Sequence, residues 1–353
     1  RRVRTVRGEY KVPGGKLVAA EVEVEAGVIS RVAISGDFFL EPDDVLEQID
    51  SALVGRPESS TVAEMASVVQ SVTADAHMVG FTPESVAIAV RRALGRAISW
   101  HDLTFEIIHE EPSSPLLNVA LDQVLLEEVG AGRRGPALRF WEWDSAAVII
   151  GSFQSLRNEV DSEVAERRGV RVIRRISGGG AMFMEPGNTI TYSLYVPASL
   201  VDGLTFEQSY SFLDDWVLGA LEEVGIKARY VPLNDIASEQ GKIGGAAQKR
   251  IATGAVLHHA TMAYNIDADA MGEVLRVGKE KLSDKGTASV QKRVDPMRRQ
   301  TGMERAAIIE SMKKYFASRY DTVPGSVTEE EKTRAQHLVE TKFATPEWVG
   351  RVS

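Results

Sequence analysis

Two arginines and a run of glycines form the feature of this sequence most suited to binding an anion. Arg174 and Arg175 end a predicted strand over residues 170–175, and the glycines at 178–180 follow Ser177. Glycine lets backbone N–H groups approach a phosphate or carboxylate closely, and arginine supplies compensating positive charge. We therefore predict an anion cradle here. A flexible surface loop with solvated arginines is the alternative.

A lysine between glycines is the second candidate for chemistry. Lys242 is preceded by Gly241 and followed, after Ile243, by Gly244 and Gly245. Its flexible ammonium group can reach a phosphoryl or carbonyl oxygen while the surrounding backbone stays close to the ligand. A solvated lysine on a surface hairpin is the alternative interpretation.

Two short polar segments have both a structural and a functional interpretation. Residues 185–188 are typical of a tight turn ending at Asn188, and Asn234 with Asp235 follows Pro232. Asx residues favour turns because their side chains hydrogen-bond to nearby backbone. Asp235 becomes a metal-ligand candidate only beside a polyphosphate, because Mg²⁺ is usually held by a carboxylate together with phosphate oxygens.

The histidines and the missing cysteines restrict metal and covalent chemistry. His258 and His259 fall in a predicted strand over residues 256–265, and strand alternation sends their imidazoles to opposite faces, so the pair cannot chelate one metal ion. Six histidines and no cysteine argue against a zinc enzyme. The absence of cysteine also excludes disulfides, iron–sulfur ligation and an acyl thioester carried on the chain.

A run of lysines follows the predicted strands. Lys279, Lys281 and Lys285 precede Ser289. They form either a solvated charge run or a lid that closes over an anionic ligand.

The composition is that of an ordinary globular protein. The chain has 353 residues and a net charge of −9, with 44% hydrophobic and 26% charged residues. This length corresponds to about two domains, and the acidic balance excludes a basic nucleic-acid footprint. No apolar run reaches the roughly 18–20 residues that span a bilayer, and residues 1–11 contain no signal-peptide core. We expect a cytoplasmic protein with neither nucleic-acid nor membrane partners.

The elements that position these residues predict an α+β fold. Residues 1–98 are expected to form a small α+β domain. Residues 99–325 are expected to form a second domain of mixed β-sheet with flanking helices that contains the candidate residues above, and residues 326–353 a charged helical C-terminal segment.

Two local patterns support this organisation. The apolar residues Val18, Ala20, Val22 and Val24 alternate with Ala19 and three glutamates, which predicts a half-buried strand, and Gly27 allows a turn into a second strand. Apolar positions recur at helical spacing over 206–224, with Phe206 among the inward residues and Gly225 as the C-terminal stop.

The order of the motifs resembles the lipoate-protein ligase A family, which is grouped with biotin protein ligases and octanoyltransferases. The segments are, in order, RRISGGGA, EPGN, ND, GKIGGAAQKR, LHHATMAYN and KEKLSDKGTASVQKRV. The resemblance covers roughly residues 103–300. Residues 14–57 resemble the small accessory domain of those ligases, which usually follows the catalytic domain and here precedes it.

The resemblance implies a reaction in two steps. Lipoate attacks the α-phosphate of MgATP to give lipoyl-AMP and pyrophosphate, and a lysine of a lipoyl carrier domain then takes the acyl group. ATP and Mg²⁺ are thus implied, with lipoate as substrate. The implied partners are E2 subunits of 2-oxoacid dehydrogenases, the glycine cleavage H protein or a related lipoate-binding protein.

The resemblance also implies roles for particular residues. Lys242 would be the catalytic lysine, which contacts the α-phosphate and the lipoyl carbonyl. Asp235 would hold Mg²⁺ with the ATP phosphates, His259 would line the acyl pocket, and Lys281 would lie on a closing loop. The other residues implied to bind adenylate or substrate are Arg175, Ser177, Gly178, Gly179, Gly180, Ala181, Met182, Phe183, Asn188, Asn234 and Gly245.

One departure from the family pattern and several alternatives accompany this interpretation. Met184 and Glu185 stand where the family commonly has His-Asp, which suggests a different acyl pocket or acceptor. Enzymes of this group that carry an acyl chain on cysteine are excluded, and biotin ligases typically have a GRGRxG-like loop. A non-catalytic carrier-binding scaffold and a ligase for another medium-chain acid such as octanoate stay open, because an apolar pocket separates such acids by only about 1–3 kcal/mol.

Overall fold

The computed structural model describes residues 2–95, 97–276 and 294–353, and the chain divides into two compact units. Unit 1 comprises Arg1–Leu103 with Ala198–Asp215, and unit 2 comprises Thr104–Pro197 with Trp216–Ser353. Within the described residues, no helix combines the length and the apolar character needed to cross a membrane.

Unit 1 contains a three-stranded antiparallel sheet, a two-stranded antiparallel sheet and helices. The strands are β1 (Arg4–Lys11), β2 (Leu17–Glu25), β3 (Val28–Gly36), β4 (Phe39–Glu41) and β5 (His77–Val79), ordered β1-β2-β3 and β4-β5. The helices are α1 (Val45–Leu53), α2 (Val62–Thr73) and α3 (Pro83–Leu94), with 3-10 turns at Trp100–Asp102 and Ala198–Val201. The predicted hairpin is present, and Val18, Val22 and Val24 are buried.

Unit 2 contains an eight-stranded mixed sheet and a separate three-stranded sheet. The strands are β6 (Thr104–His109), β7 (Ala137–Phe140), β8 (Ala147–Ile150), β9 (Arg171–Arg174), β10 (Met182–Met184), β11 (Thr189–Pro197), β12 (Ala228–Val231), β13 (Asp235–Ser238), β14 (Gly241–Ile251), β15 (Ala255–Ala263) and β16 (Asp321–Pro324). The larger sheet has the order β12-β13-β14-β15-β11-β7-β6-β16, and the smaller has β10-β8-β9. The predicted α+β class, with a mixed sheet and flanking helices, is confirmed.

The remaining helices belong to unit 2, except that the helix at Phe206–Glu223 begins in unit 1 and ends in unit 2. They are α4 (Pro115–Gly130), α5 (Leu156–Glu159), α6 (Ser162–Arg167), α7 (Phe206–Glu223), α8 (Ala268–Val274), α9 (Met297–Thr301), α10 (Arg305–Arg319), α11 (Glu329–Leu338) and α12 (Pro346–Val349), with a π-helical turn at Val339–Phe343. The predicted helix over 206–224 is therefore present, and Gly225 follows it with a left-handed φ of 86°. The inward position expected for Phe206 is wrong, because this residue lies in the first turn and is 54% exposed.

The main core of unit 2 forms where α4 packs against the large sheet. Val124 and Leu125 of α4 are buried with Tyr195 of β11 and Leu257 of β15. Phe343 belongs to the same cluster, so apolar burial anchors the C-terminal segment within unit 2.

The compact units differ from the predicted domains in two places. Residues 198–215 belong to unit 1, where Arg92 donates a 2.8 Å hydrogen bond to the carbonyl oxygen of Asp202. Residues 326–353 belong to unit 2. The boundaries at 98 and 325 stay predictions.

Candidate active site

A cavity of about 190 Å³ opens in unit 2 beside the glycine loop, defined here as residues 175–181. The predicted site residues in its lining are Arg175, Gly180, Ala181, Met182, Phe183, Asn234, Lys242, Gly245 and His259. The predicted residues Ser177, Gly178, Gly179, Asn188 and Asp235 are not among the lining residues, and Lys281 lies outside the described residues. The lining combines these polar groups with apolar side chains, among them Ile266 and Met271.

Both arginines before the glycines are buried, which overturns the solvated-loop alternative. Arg175 donates from Nε to Ser177 Oγ at 3.0 Å and from Nη2 to the carbonyl oxygens of Gly178 and Gly180 at 2.6 and 2.8 Å. Its guanidinium therefore folds the glycine loop back on itself. Arg174 donates to the carbonyl oxygens of Gln154 and Val349 at 2.7 and 2.8 Å, which ties the C-terminal residues to β9.

Two glycines are required by the conformation of this loop. Gly179 has a φ of 93°, in the left-handed region that favours glycine. Gly151, which follows β8, passes so close that a Cβ at this position would lie 2.2 Å from the carbonyl oxygen of Gly179. The loop therefore packs directly on backbone, and its path depends on both glycines.

Lys242 projects from β14 and forms an ion pair with Asp235 of β13. Its Nζ lies 3.1 Å from Asp235 Oδ1, with the two side chains 48% and 36% exposed. A register shift between Ile236 and Ala237 places Ala237 opposite Lys242. Lys242 is thus the second residue of β14, directly after the tight turn from β13, and its side chain is exposed. The hairpin position of the alternative interpretation is present, but this hairpin also borders the cavity.

The backbone around this ion pair is fixed. Asn234 donates from Nδ2 to the carbonyl oxygen of Ala246 at 2.9 Å, and the Ala246 N–H returns a 2.9 Å bond to the carbonyl oxygen of Asn234. A Cβ at Gly245 would lie 3.6 Å from Lys242 Nζ. The glycine thus leaves space directly beside the ammonium group.

Asn188 has the turn role that its sequence context indicates. Its Nδ2 donates to the carbonyl oxygen of Phe183 at 3.2 Å, and its own carbonyl oxygen accepts from the N–H groups of Tyr264 and Asn265. Among the described residues, its buried Oδ1 has no hydrogen-bond partner.

The carboxylates of the described chain do not form a metal site on their own. No group of three or more histidine or acidic side chains that could hold a metal ion occurs in the described ranges. A lone carboxylate such as Asp235 fits a Mg²⁺ ion only when ligand phosphate oxygens supply most of the coordination.

A hydrogen-bonded chain of three side chains runs from α4 to the glycine loop. Asp122 Oδ2 lies 2.9 Å from His259 Nδ1, and His259 Nε2 lies 2.6 Å from Ser177 Oγ. Burial lowers the pKa of His259 below its usual value, against the opposing hydrogen bond and charge of Asp122. A neutral imidazole facing an ionised carboxylate carries its proton on Nδ1. His259 Nε2 therefore accepts from the Ser177 hydroxyl.

Asp122 is held in its ionised form by a second layer of donors. Burial alone would raise the pKa of Asp122, but the hydrogen bond from His259 and the charge of Arg139 bring it below its usual value. Arg139 Nη2 and the Tyr195 hydroxyl both donate to Oδ1, at 3.0 and 2.5 Å. Asn118 Oδ1 accepts from Arg139 Nη1 at 2.8 Å and fixes the guanidinium.

Asp122 and Arg139 were not predicted as site residues. The sequence feature that indicates Asp122 is its place among the apolar residues Leu121, Val124 and Leu125 of α4. A carboxylate on a buried helix face needs a partner. His258, the other half of the histidine pair, is buried beside Gln248. The two histidines therefore have different surroundings, as strand alternation predicts.

Met184 lies in the core and does not belong to the cavity lining. It is 1% exposed and packs in the same cluster as α4. Its Sδ accepts a 3.7 Å contact from the hydroxyl of Thr189. Position 184 therefore belongs to the core of unit 2 in this structure, and a different acyl pocket or acceptor stays a prediction.

The sequence is similar to proteins that act on lipoyl and octanoyl groups. Residues 114–317 match the family model described as the lipoyl protein ligase A/B catalytic domain. Octanoyltransferase LipM of Brevibacillus brevis is 26% identical over 274 residues, covering 67% of this chain and 95% of the relative. Lipoate-protein ligase A subunit 1 of Thermoplasma acidophilum is 29% identical over 255 residues, covering 69% of this chain and 94% of the relative.

Solved structures resemble the fold of the same region. A structure from a study of the bi-partite lipoate protein ligase of Thermoplasma acidophilum and its E2 lipoyl domain has a TM-score of 0.64 and 27% identity, covering 71% of this chain and 98% of the other. A lipoate-protein ligase A bound with ATP has a TM-score of 0.61 and 24% identity, covering 71% of this chain and 99% of the other. The second likeness concerns the fold alone.

Proposed function

The chain belongs to the lipoyl protein ligase A/B catalytic domain family, and on that premise we propose that it is an ATP-dependent lipoate-protein ligase. It activates lipoate to lipoyl-AMP and transfers the lipoyl group to a lysine of a lipoyl carrier domain. The observation that carries this proposal is the Lys242–Asp235 ion pair at a cavity beside the glycine loop, in a chain without cysteine.

The missing cysteine favours a ligase over a thioester-forming transferase. An enzyme that holds the acyl chain as a thioester on its own cysteine needs that thiol as nucleophile, and this chain has none. The acyl group must then be activated without an enzyme thiol. The mixed anhydride that lipoate forms with the α-phosphate of ATP provides this activation. We therefore infer that this chain shares with octanoyltransferases the fold and the type of acyl group, but not a covalent thioester intermediate.

Lys242 has the position and charge for the first step. A carboxylate oxygen of lipoate bonds to the α-phosphorus of ATP, and the bond to the β-phosphate oxygen breaks to release pyrophosphate. Negative charge develops on the phosphoryl oxygens, and an ammonium group held beside them lowers the barrier. Asp235 orients that ammonium at 3.1 Å, and the open space at Gly245 admits the phosphate.

Asp235 is the residue that would hold Mg²⁺, with phosphate oxygens as the remaining ligands. The ion would neutralise phosphate charge when bound. The backbone of Gly180 and Ala181, which line the cavity, would support the nucleotide phosphate. The apolar lining around Met271 and Ile266 suits an acyl chain.

The acceptor is proposed to be a lipoyl carrier domain. The similar Thermoplasma acidophilum ligase was studied together with its E2 lipoyl domain, which supports E2 subunits as partners. The glycine cleavage H protein or a related lipoate-binding protein is proposed on the same chemistry, because each presents an exposed lysine for acylation. Residues 1–98 are proposed to act as an accessory domain.

The proposal is tested by pyrophosphate release from MgATP with lipoate, octanoate or biotin added singly. Release that requires lipoate and is lost in Lys242→Ala is the expected result. Lys249→Ala is the matched control, since Lys249 lies on the same strand and is exposed. Pyrophosphate release with octanoate but not with lipoate would identify octanoate as the substrate. No release with any acid, with or without a lipoyl domain, would favour a carrier-binding scaffold.

A further inference from the structure

The chain Asp122–His259–Ser177 has the geometry of a catalytic triad, but its serine is not placed to act as a nucleophile. Ser177 has no exposed surface and is absent from the cavity lining, whereas His259 is in the lining. The Ser177 oxygen also accepts a hydrogen bond from Arg175 Nε at 3.0 Å. Of the three side chains, only His259 lines the cavity, so the chemical use of the chain lies at His259.

His259 and the Lys242 ammonium lie on one face of the sheet. His259, Thr261 and Ala263 are alternate residues of β15 and all line the cavity. Ala247 pairs with His259 and Gly245 pairs with Thr261, while Lys242 Nζ lies 3.6 Å from where a Cβ on Gly245 would be. Gly245 and His259 thus lie on neighbouring strands with an offset of two residues, which is about 7 Å along the strands and about 5 Å between them. An acyl phosphate bound on this face of the sheet would contact both the ammonium and the imidazole.

From this juxtaposition we infer that His259 accepts the proton released in the acyl-transfer step, with Asp122 and Ser177 as positioning residues. The inference rests on the proposed function. Asp122 fixes the Nδ1–H tautomer, which leaves Nε2 as the only basic nitrogen. The Ser177 hydroxyl occupies that nitrogen until the acceptor amine displaces it.

The step balances without any further reactant. The neutral amine of the carrier lysine bonds to the acyl carbon of lipoyl-AMP, and the bond from that carbon to the phosphate oxygen breaks with its electron pair on AMP. One of the two amine protons passes to His259 Nε2, and the other stays on the amide. Asp122 then stabilises the imidazolium through the Nδ1–H bond.

Charged and titratable groups surround the pair formed by Asp122 and His259. Asp122 of α4, Arg175 of the glycine loop and His258 of β15 act on His259, while Arg139 of β7 and Tyr195 of β11 act on Asp122. Lys242 of β14 lines the same cavity. Arg175 and His258 oppose protonation of His259, and Asp122 favours it. These opposing influences leave the imidazole neutral at neutral pH and able to accept a proton.

The test separates the two half-reactions with the intact chain. Lipoyl-AMP prepared chemically is mixed with an E2 lipoyl domain, and transfer is followed by the mass of that domain. His259→Gln is expected to slow transfer by about 10²- to 10⁴-fold, the range for a lost general base. Lipoate-dependent pyrophosphate release by the same variant should fall much less than transfer does, and its melting temperature reports that the variant is folded. His258→Gln, a neighbouring buried histidine, is the matched control.

The pH profile distinguishes a base from a structural role. Above the pKa of His259, the logarithm of the wild-type transfer rate should rise with a slope of about 1, set by the acceptor lysine. Below that pKa, the slope should become about 2, because two groups must lose protons. His259→Gln should keep a slope of about 1 throughout, and Asp122→Asn should also slow transfer.

Three results would overturn the inference. They are unchanged transfer by His259→Gln, an equal loss in His258→Gln, and an ester-linked acyl group on Ser177. Wild-type protein that neither releases pyrophosphate nor consumes lipoyl-AMP would instead refute the proposed function itself.

Discussion

Replacing Gly151 with alanine tests whether the glycine loop must keep its path. The added Cβ would lie 2.2 Å from the carbonyl oxygen of Gly179 and 3.1 Å from its carbonyl carbon. Contacts under 3.0 Å are essentially never made by real Cβ atoms, and backbone atoms cannot turn aside as a side chain can. The glycine loop must therefore move by about 1 Å, with an overpacking cost of about 1–3 kcal/mol.

The functional consequence follows from that displacement. Misplacing a binding group by about 1 Å can cost about 10²-fold in rate, so pyrophosphate release should fall by about 10- to 100-fold. The melting temperature should fall by about 2–4 °C for each kcal/mol lost. Gly135→Ala is the control, because its Cβ would meet no atom within 4 Å. Wild-type rate and stability in Gly151→Ala would refute the tight packing of the loop.

The remaining predictions concern packing and titration in unit 2. Arg174→Met should lower the free energy of unfolding by about 3 kcal/mol or more, because it leaves buried carbonyl oxygens unpaired. It should also expose residues 346–353 to protease. Arg171→Met, at an exposed position of the same strand, should have neither effect. Met184→His should destabilise by about 1–3 kcal/mol by burying a polar ring and leave acid preference unchanged; altered preference in competition assays would contradict its core position. Burial holds the pKa of His259 below its usual value, so from neutral pH down through about 6.5 the unfolded chain takes up a proton that the folded chain does not. The free energy of unfolding should therefore fall with decreasing pH in urea titrations, and His259→Gln should lessen that slope.

Local patterns in the sequence predicted the elements well where one face is buried. The alternating valines of β2 and the helical spacing of α7 each reflect a single period, so their structure follows from the sequence. Phe206 departed from this pattern because it occupies a first turn, where exposure costs little.

The sequence predicted individual residues of the candidate site but not the hydrogen bonds that connect them. Spacing located Lys242 and the glycines, but it could not show that the Arg175 guanidinium bonds to its own loop. Asp122 lies 137 residues from its partner His259, so its place among apolar residues of α4 indicates that the carboxylate needs a partner but not which residue supplies it. Contacts between residues so far apart in the sequence depend on the fold, and the spacing of residue types along the chain does not predict them.

The requirement for ATP tests the central claim most directly. A lipoyl domain is incubated with the protein and lipoate, with and without MgATP, and in parallel with an octanoyl thioester donor alone. Intact mass then reports acylation of the domain. Ligase chemistry predicts acylation only with lipoate and MgATP together, and its loss in Lys242→Ala. Acylation from the thioester without ATP would contradict the account and identify the chain as a transferase.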